Sequence, residues 1–197
     1  MKPWYRLNID ISNAVREDFN FNSLYTNSKF ANKPVGTWVF SKDQLTDIVN
    51  QRWLDYMSSI GLNPTGIMLF YREPHFVAAG AHIDIRKNNT LAIYAINWVL
   101  NPADDSDMIW FSHPTEPGIS AVTEANTNYT YWPMDDIKDL EIDRCCIKNI
   151  PTLVSISIPH NVIVNTVPRW VISVRFPIEE DVTDWEDAVT AFRKFII

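Results

Sequence analysis

The chain has 197 residues and a mass of 22.8 kDa, room for one domain, or one with an appended subdomain, rather than two full cores. Hydrophobic residues at 46% and charged residues at 21% exclude a disordered or low-complexity protein. Only 5 glycines argue against phosphate-cradling P-loop and dinucleotide folds, and a formal net charge of −7 argues against a broad nucleic-acid footprint.

The chain opens MKPWYRLNIDIS, with no apolar leader-like run, and no stretch approaches the roughly 18 apolar residues of a spanning helix. The expectation is a soluble cytoplasmic chain with no membrane partner. The first forty residues are polar and Asn-rich, with short strand-like runs WYRLNIDI and GTWVF. Ser41-x-x-Gln44 is a capping box, and Leu45, Ile48, Val49, Leu54, Met57 and Ile60 follow at helical spacing, with Gly61 as the stop. From Gly66 to Phe176 the character is that of strands: GIMLFYR, HFVAAGAHIDI, TLAIYAINWVL, DMIWF, NYTYW, DRCCIKNI, TLVSISIPH and RWVISVRF. Adjacent Cys145 and Cys146 cannot form a CxxC site and read as one packed and one partly exposed thiol. The tail DVTDWEDAVTAFRKFII reads as an amphipathic helix with Trp185, Ala188, Val189 and Phe192 on one side. This is a mainly β chain with flanking helices (α+β), a sandwich or barrel. Its parts are an N-terminal region of strands and a supporting helix (1–62), a strand core (63–176) and a closing helix (177–197).

Three strands carry the chemistry. In His82-Ile83-Asp84 the imidazole and carboxylate share one face of an extended run, and Ile83 points the other way. Such a pair is two adjacent ligands for a divalent metal, or a surface ion pair. His160 closes TLVSISIPH on its more apolar face, either as a ligand or as a core-edge histidine bonded to a carbonyl. In RWVISVRF, Trp170, Ile172, Val174 and Phe176 form an apolar face, while Arg169, Val171, Ser173 and Arg175 form the other. If that second face is covered its guanidiniums need anions; if it is an open edge they are solvated.

Together these residues resemble the iron(II)/2-oxoglutarate-dependent oxygenases, in the prolyl 4-hydroxylase-like branch. The resemblance runs from about Gly66 to Phe176 and rests on HID at 82–84 followed by HNVIVNTVPRWVISVRF at 160–176. It implies a double-stranded β-helix (jelly roll), with His82, Asp84 and His160 as ligands of Fe(II). Arg169 would bind the distal carboxylate of the cosubstrate 2-oxoglutarate, and Ser173 the same group. It also implies use of O2 and, most simply, hydroxylation of a peptide or small-molecule substrate. Asn97 is a further candidate near the cosubstrate, readable equally as a structural hydrogen bond; Tyr71 and Tyr94 are candidates for a cosubstrate carboxylate, more commonly core aromatics. Arg86 and Arg175 are candidate substrate contacts, Arg175 alternatively an ordinary salt bridge. His75 and His113 fall outside the motif. Asp84 stands where halogenating relatives have a small residue, which argues against that outcome. DDSDMIWF departs from the Gly-Gly-Glu-Leu-type segment of relatives, so substrate class does not carry over. The competing readings are a catalytically silent jelly-roll binding module and a cupin-type metal enzyme independent of 2-oxoglutarate.

Overall fold

Several strands are apolar on both faces, and the computed structural model shows what covers each one. It describes residues 1–76, 80–85, 92–100, 106–124, 126–177 and 182–197. Among these, twelve strands form two antiparallel sheets of six. The first is ordered β1 (Trp4–Arg6), β10 (Thr152–Ser155), β5 (Tyr94–Val99), β12 (Arg169–Arg175), β3 (Gly66–Arg72) and β2 (Val35–Ser41). The second is ordered β7 (Ile119–Val122), β8 (Asn128–Pro133), β4 (Gly80–Ile85), β11 (His160–Val164), β6 (Ser106–Phe111) and β9 (Glu141–Cys146).

Strand parity sorts the side chains into layers. Ile67, Leu69, Ile96, Trp98, Ile172 and Val174 leave the first sheet on one side and pack against helices α2 (Leu45–Ile48), α3 (Gln51–Ser59) and α5 (Trp185–Phe192). Residues of the opposite parity, Ala95, Val99, Val154 and Val171, pack against Met108, Trp110 and Ile156 of the second sheet and its approach. Ala81, Ile83, Ile109, Phe111 and Trp132 form a third cluster with Ile137 of α4 (Met134–Ile137). Strand β5 is buried along its whole length for this reason.

Two expected elements differ. The helix anticipated from Ser41 to Ile60 is broken, because Val49 is extended and bridges Val15 of the N-terminal segment. Asn50 holds that segment through its side-chain amide, donating to the carbonyls of Asn13 and Val15 at 2.8 and 3.1 Å. The capping box at Ser41–Gln44 and the stop at Gly61, with φ +86°, are both present. The run TLVSISIPH is not one strand. It leaves the first sheet after Ser155, and His160 opens β11 in the second sheet rather than closing β10. A six-residue helix α1 (Phe21–Thr26), capped by the Asn20 side chain, was not expected. Helix α5 does bury Trp185, Ala188 and Phe192, and Asp184 caps it by accepting from the Asp187 N–H at 3.0 Å. Cys145 is buried and Cys146 partly so, and burial pushes the Cys145 thiol up to about 11. No described helix is long and apolar enough to cross a membrane.

Trp98 is 1% exposed and stacks at a tilt on Trp53, 5.9 Å between centroids, joining the first sheet to the helix layer. Trp98→Ala is expected to lower unfolding stability by about 3–5 kcal/mol. Val39→Thr, at an exposed position, should stay within about 0.5 kcal/mol. Urea unfolding of the two variants beside the parent checks this, and equal effects would contradict the layer assignment.

Candidate metal centre and anion pocket

Strand β4 sets the first two side chains. It pairs with β8 so that His82 faces Tyr131 and Asp84 faces Tyr129, leaving both on one face with Ile83 behind in the third cluster. Gly80 permits this close docking, since a Cβ there would lie 1.9 Å from the Trp132 carbonyl oxygen. On its other side β4 meets β11 with His82 in register with His160. The rings lie 4.5 Å apart, and His82 Nε2 is 3.7 Å from Asp84 Oδ1. One ligand atom from each of the three residues falls within 4.8 Å of the others, a group that could hold a metal ion. Two imidazoles and one carboxylate on one side leave other positions open, a donor set suited to a divalent transition metal.

Hydrogen bonds orient these donors. His160 Nδ1 lies 2.9 Å from the Ile158 carbonyl, to which it donates, so its Nε2 lone pair is left for the cluster. Arg175 Nη2 donates to Asp84 Oδ2 at 2.9 Å, leaving Oδ1 toward the histidines. Arg175 is therefore an ion-pair partner of a candidate ligand. The His82 and Asp84 side chains keep 31% and 24% of their surface, and both border a cavity of about 320 Å³ between the sheets.

Electrostatics follow from that enclosure. Burial, helped by the neighbouring His160, pushes the His82 imidazole down to about 3, and burial also lowers His160. Both rings are neutral at neutral pH, the state that can bind metal. Burial alone would raise the Asp84 carboxyl, but Arg175 and the two histidines more than offset it, so it titrates below its ordinary range.

The far part of the cavity is cationic and unsatisfied. Arg169 is 4% exposed, and burial pushes its guanidinium down to about 9, with Arg72 adding repulsion. Its Nε, the Ser173 hydroxyl and the Asn97 side-chain carbonyl are buried without a hydrogen-bond partner among the described residues. Ser173 and Asn97 are register partners on β12 and β5, and Arg169 shares the Ser173 face. Arg169 and Asn97 border the cavity and Ser173 is fully buried beside them; buried polar groups are almost always paired, so these unpaired atoms mark a place for a polar ligand.

The structure thus gathers His82, Asp84 and His160 at one position and borders the same cavity with Arg169 and Asn97. Tyr71 also borders it, but its ring is engaged elsewhere. It packs on Tyr25 and Trp170 at 4.6 and 5.0 Å, on the face of β3 opposite to Phe70 and Arg72. Tyr94 belongs to the helix-side cluster, against Phe176 and Phe192. His113 packs on Trp132 and His75 is exposed in a left-handed turn, φ 59°, neither in the metal cluster. Arg86 lies outside the described residues. Sequence reasoning missed Arg72, although its parity with Met68 and Phe70 on β3 was readable. No family model matches the chain, and no curated protein matches it either.

Two outcomes follow. Both imidazoles have folded-state values below the ordinary 6.5, so the unfolded chain takes up these protons first. Metal-free protein should be most stable above 6.5 and lose stability as pH falls below it, through the range down to about 3 for His82. His82→Asn should flatten that dependence in urea midpoints, and an unchanged slope would contradict the buried neutral ring. Arg175→Ala should weaken Mn(II) or Co(II) binding by roughly 10–100-fold, as loss of a ligand's hydrogen-bond partner does. Calorimetric titration reads this directly, and undiminished affinity would show that Asp84 is oriented without Arg175.

Proposed function

We propose that the protein is an iron(II)- and 2-oxoglutarate-dependent dioxygenase. It would oxidise an unactivated C–H bond of a peptide or small-molecule substrate and release succinate and carbon dioxide. The observation that carries this reading is a conjunction in one cavity: the His82–Asp84–His160 donor set and a buried Arg169 with no ion-pair partner among the described residues. Either feature alone has ordinary explanations. A silent binding module gives no reason for the donor set, and a metal enzyme independent of 2-oxoglutarate gives none for Arg169. On this reading the two facing sheets are the double-stranded β-helix of the oxygenases that the motif resembles.

Iron with 2-oxoglutarate and O2 supplies the oxidative decarboxylation that drives C–H oxidation. The chain supplies the setting for it. His82 and His160 present neutral nitrogen lone pairs, and Arg175 fixes the Asp84 carboxylate so that one oxygen stays available. Arg169 would hold the distal carboxylate of 2-oxoglutarate as a charged, forked donor, and the Ser173 hydroxyl on the same face of β12 would be a further donor. Phe70, Met108, Ile156 and Val171 wall the cavity with apolar surface, which strengthens each of these contacts by excluding water.

Asp84→Ala is expected to abolish both iron binding and succinate formation from 2-oxoglutarate. Arg169→Ala should raise the 2-oxoglutarate concentration needed by at least about 30-fold, with iron affinity within about twofold. Succinate quantified against added 2-oxoglutarate, with iron binding measured separately, checks both. Full turnover by the Asp84 variant would remove the metal assignment, and an unchanged 2-oxoglutarate requirement would remove Arg169 from its role.

A further inference from the structure

Arg72 stands in the same cavity with no assigned work. It is the register partner of Arg169 across β3 and β12, so two guanidiniums start from adjacent positions on one face. Its Nη1 donates to the Val162 carbonyl and, at 3.4 Å, to Asn161 Oδ1, which ties it to β11 immediately after His160. No described residue takes its Nε or Nη2 donors, and no carboxylate pairs with it among the described residues. The Arg72 guanidinium also adds repulsion to Arg169. Burial itself pushes Arg72 down to about 10. Arg72, Arg169 and Arg175 face one carboxylate, Asp84, among the described charges bordering the cavity, so three positive against one negative leaves an excess of +2. Since Arg175 holds Asp84, that excess sits on Arg72 and Arg169.

We propose that Arg72 is a second anion-binding residue, gripping the metal-proximal carboxylate of the 2-oxo acid while Arg169 grips the distal one. This rests on the reading of the cavity as a 2-oxoglutarate site and adds to it a residue and a division of labour. Two guanidiniums without an ion-pair partner among the described residues suit a ligand with two carboxylates, and their placement decides which takes which. Arg72 is tethered to Asn161 Oδ1 and the Val162 carbonyl, immediately after His160 on β11; Arg169 lies with the unpartnered Ser173 hydroxyl and Asn97 carbonyl. A charged hydrogen-bonding fork near the metal also fixes the plane of the bound carboxylate, which a point charge would not.

Two probe ligands separate the roles. Calorimetric titration of Mn(II)-loaded protein with 2-oxoglutarate and with 2-oxopentanoate, which has a methyl group in place of the distal carboxylate, gives affinities independent of turnover. Arg72→Ala should weaken both ligands by the same factor, roughly 10–100-fold. Arg169→Ala should weaken 2-oxoglutarate alone and erase the preference over 2-oxopentanoate. Arg72→Lys, which keeps the charge but not the fork, should weaken both ligands equally and by less, and it serves where the alanine variant does not fold. Loss confined to 2-oxoglutarate in either Arg72 variant would place Arg72 at the distal carboxylate and overturn the proposal. Unchanged affinity for both ligands would reduce Arg72 to a tie between β3 and β11. Failure of the parent protein to bind 2-oxoglutarate at all would instead overturn the reading beneath it.

Discussion

A guanidinium set between two sheets without an ion-pair partner is expensive, and among the described residues the buried Arg169 and the partly buried Arg72 are so placed. Such a charge persists where something else compensates it or where a ligand is to arrive. Arg175 shows the first solution, since Asp84 answers it at 2.9 Å. Arg72 and Arg169 have no such answer among the described residues, and burial lowers both. The architecture around them keeps the cavity wall largely apolar and polar only at a few positions. Helices cover the far side of the first sheet, the apolar residues of β5 and β12 fill the space between sheets, and polar atoms appear at Asn97, Ser173 and the arginines.

Register makes that arrangement possible. Because side chains alternate along a strand, one choice of face decides what an entire strand contributes. On β12 the choice sends Ile172 and Val174 to the helix layer and Trp170 against Phe21 and Trp38, and it turns Arg169, Val171 and Arg175 to the cavity with Ser173 on the same face. On β4 it places His82 and Asp84 together and sends Ile83 to the opposite cluster. A single-residue slip on either strand would exchange charges for aliphatics and leave neither a core nor a site.

Local pattern made much of this legible. The His-x-Asp pair reads from parity alone, and the two unlike faces of RWVISVRF announce that one of them must be covered or solvated. Asn97 reads as a buried amide because both faces of its strand are apolar. Non-local geometry hid the rest. On β3 both faces look equally suited to a core, with Ile67, Leu69 and Tyr71 on one and Met68, Phe70 and Arg72 on the other. Only the position of the helices tells that Tyr71 turns toward Trp170 while Arg72 turns into the cavity. The contact of Arg175 with Asp84 spans 91 residues, and nothing local foretells it. The crossing from β10 to β11 places His160 at a strand start, and the bridge from Val15 to Val49 breaks a helix whose own periodicity is continuous.

The central claim is that one metal and one 2-oxo dicarboxylate share the cavity between the sheets. Anomalous diffraction from crystals soaked anaerobically in Mn(II) and 2-oxoglutarate tests it most directly. The account predicts a manganese peak bonded to His82 Nε2, Asp84 Oδ1 and His160 Nε2, with the ligand chelating it and reaching Arg169. A manganese ion bound elsewhere, or 2-oxoglutarate absent from the cavity when the metal is in place, would contradict it.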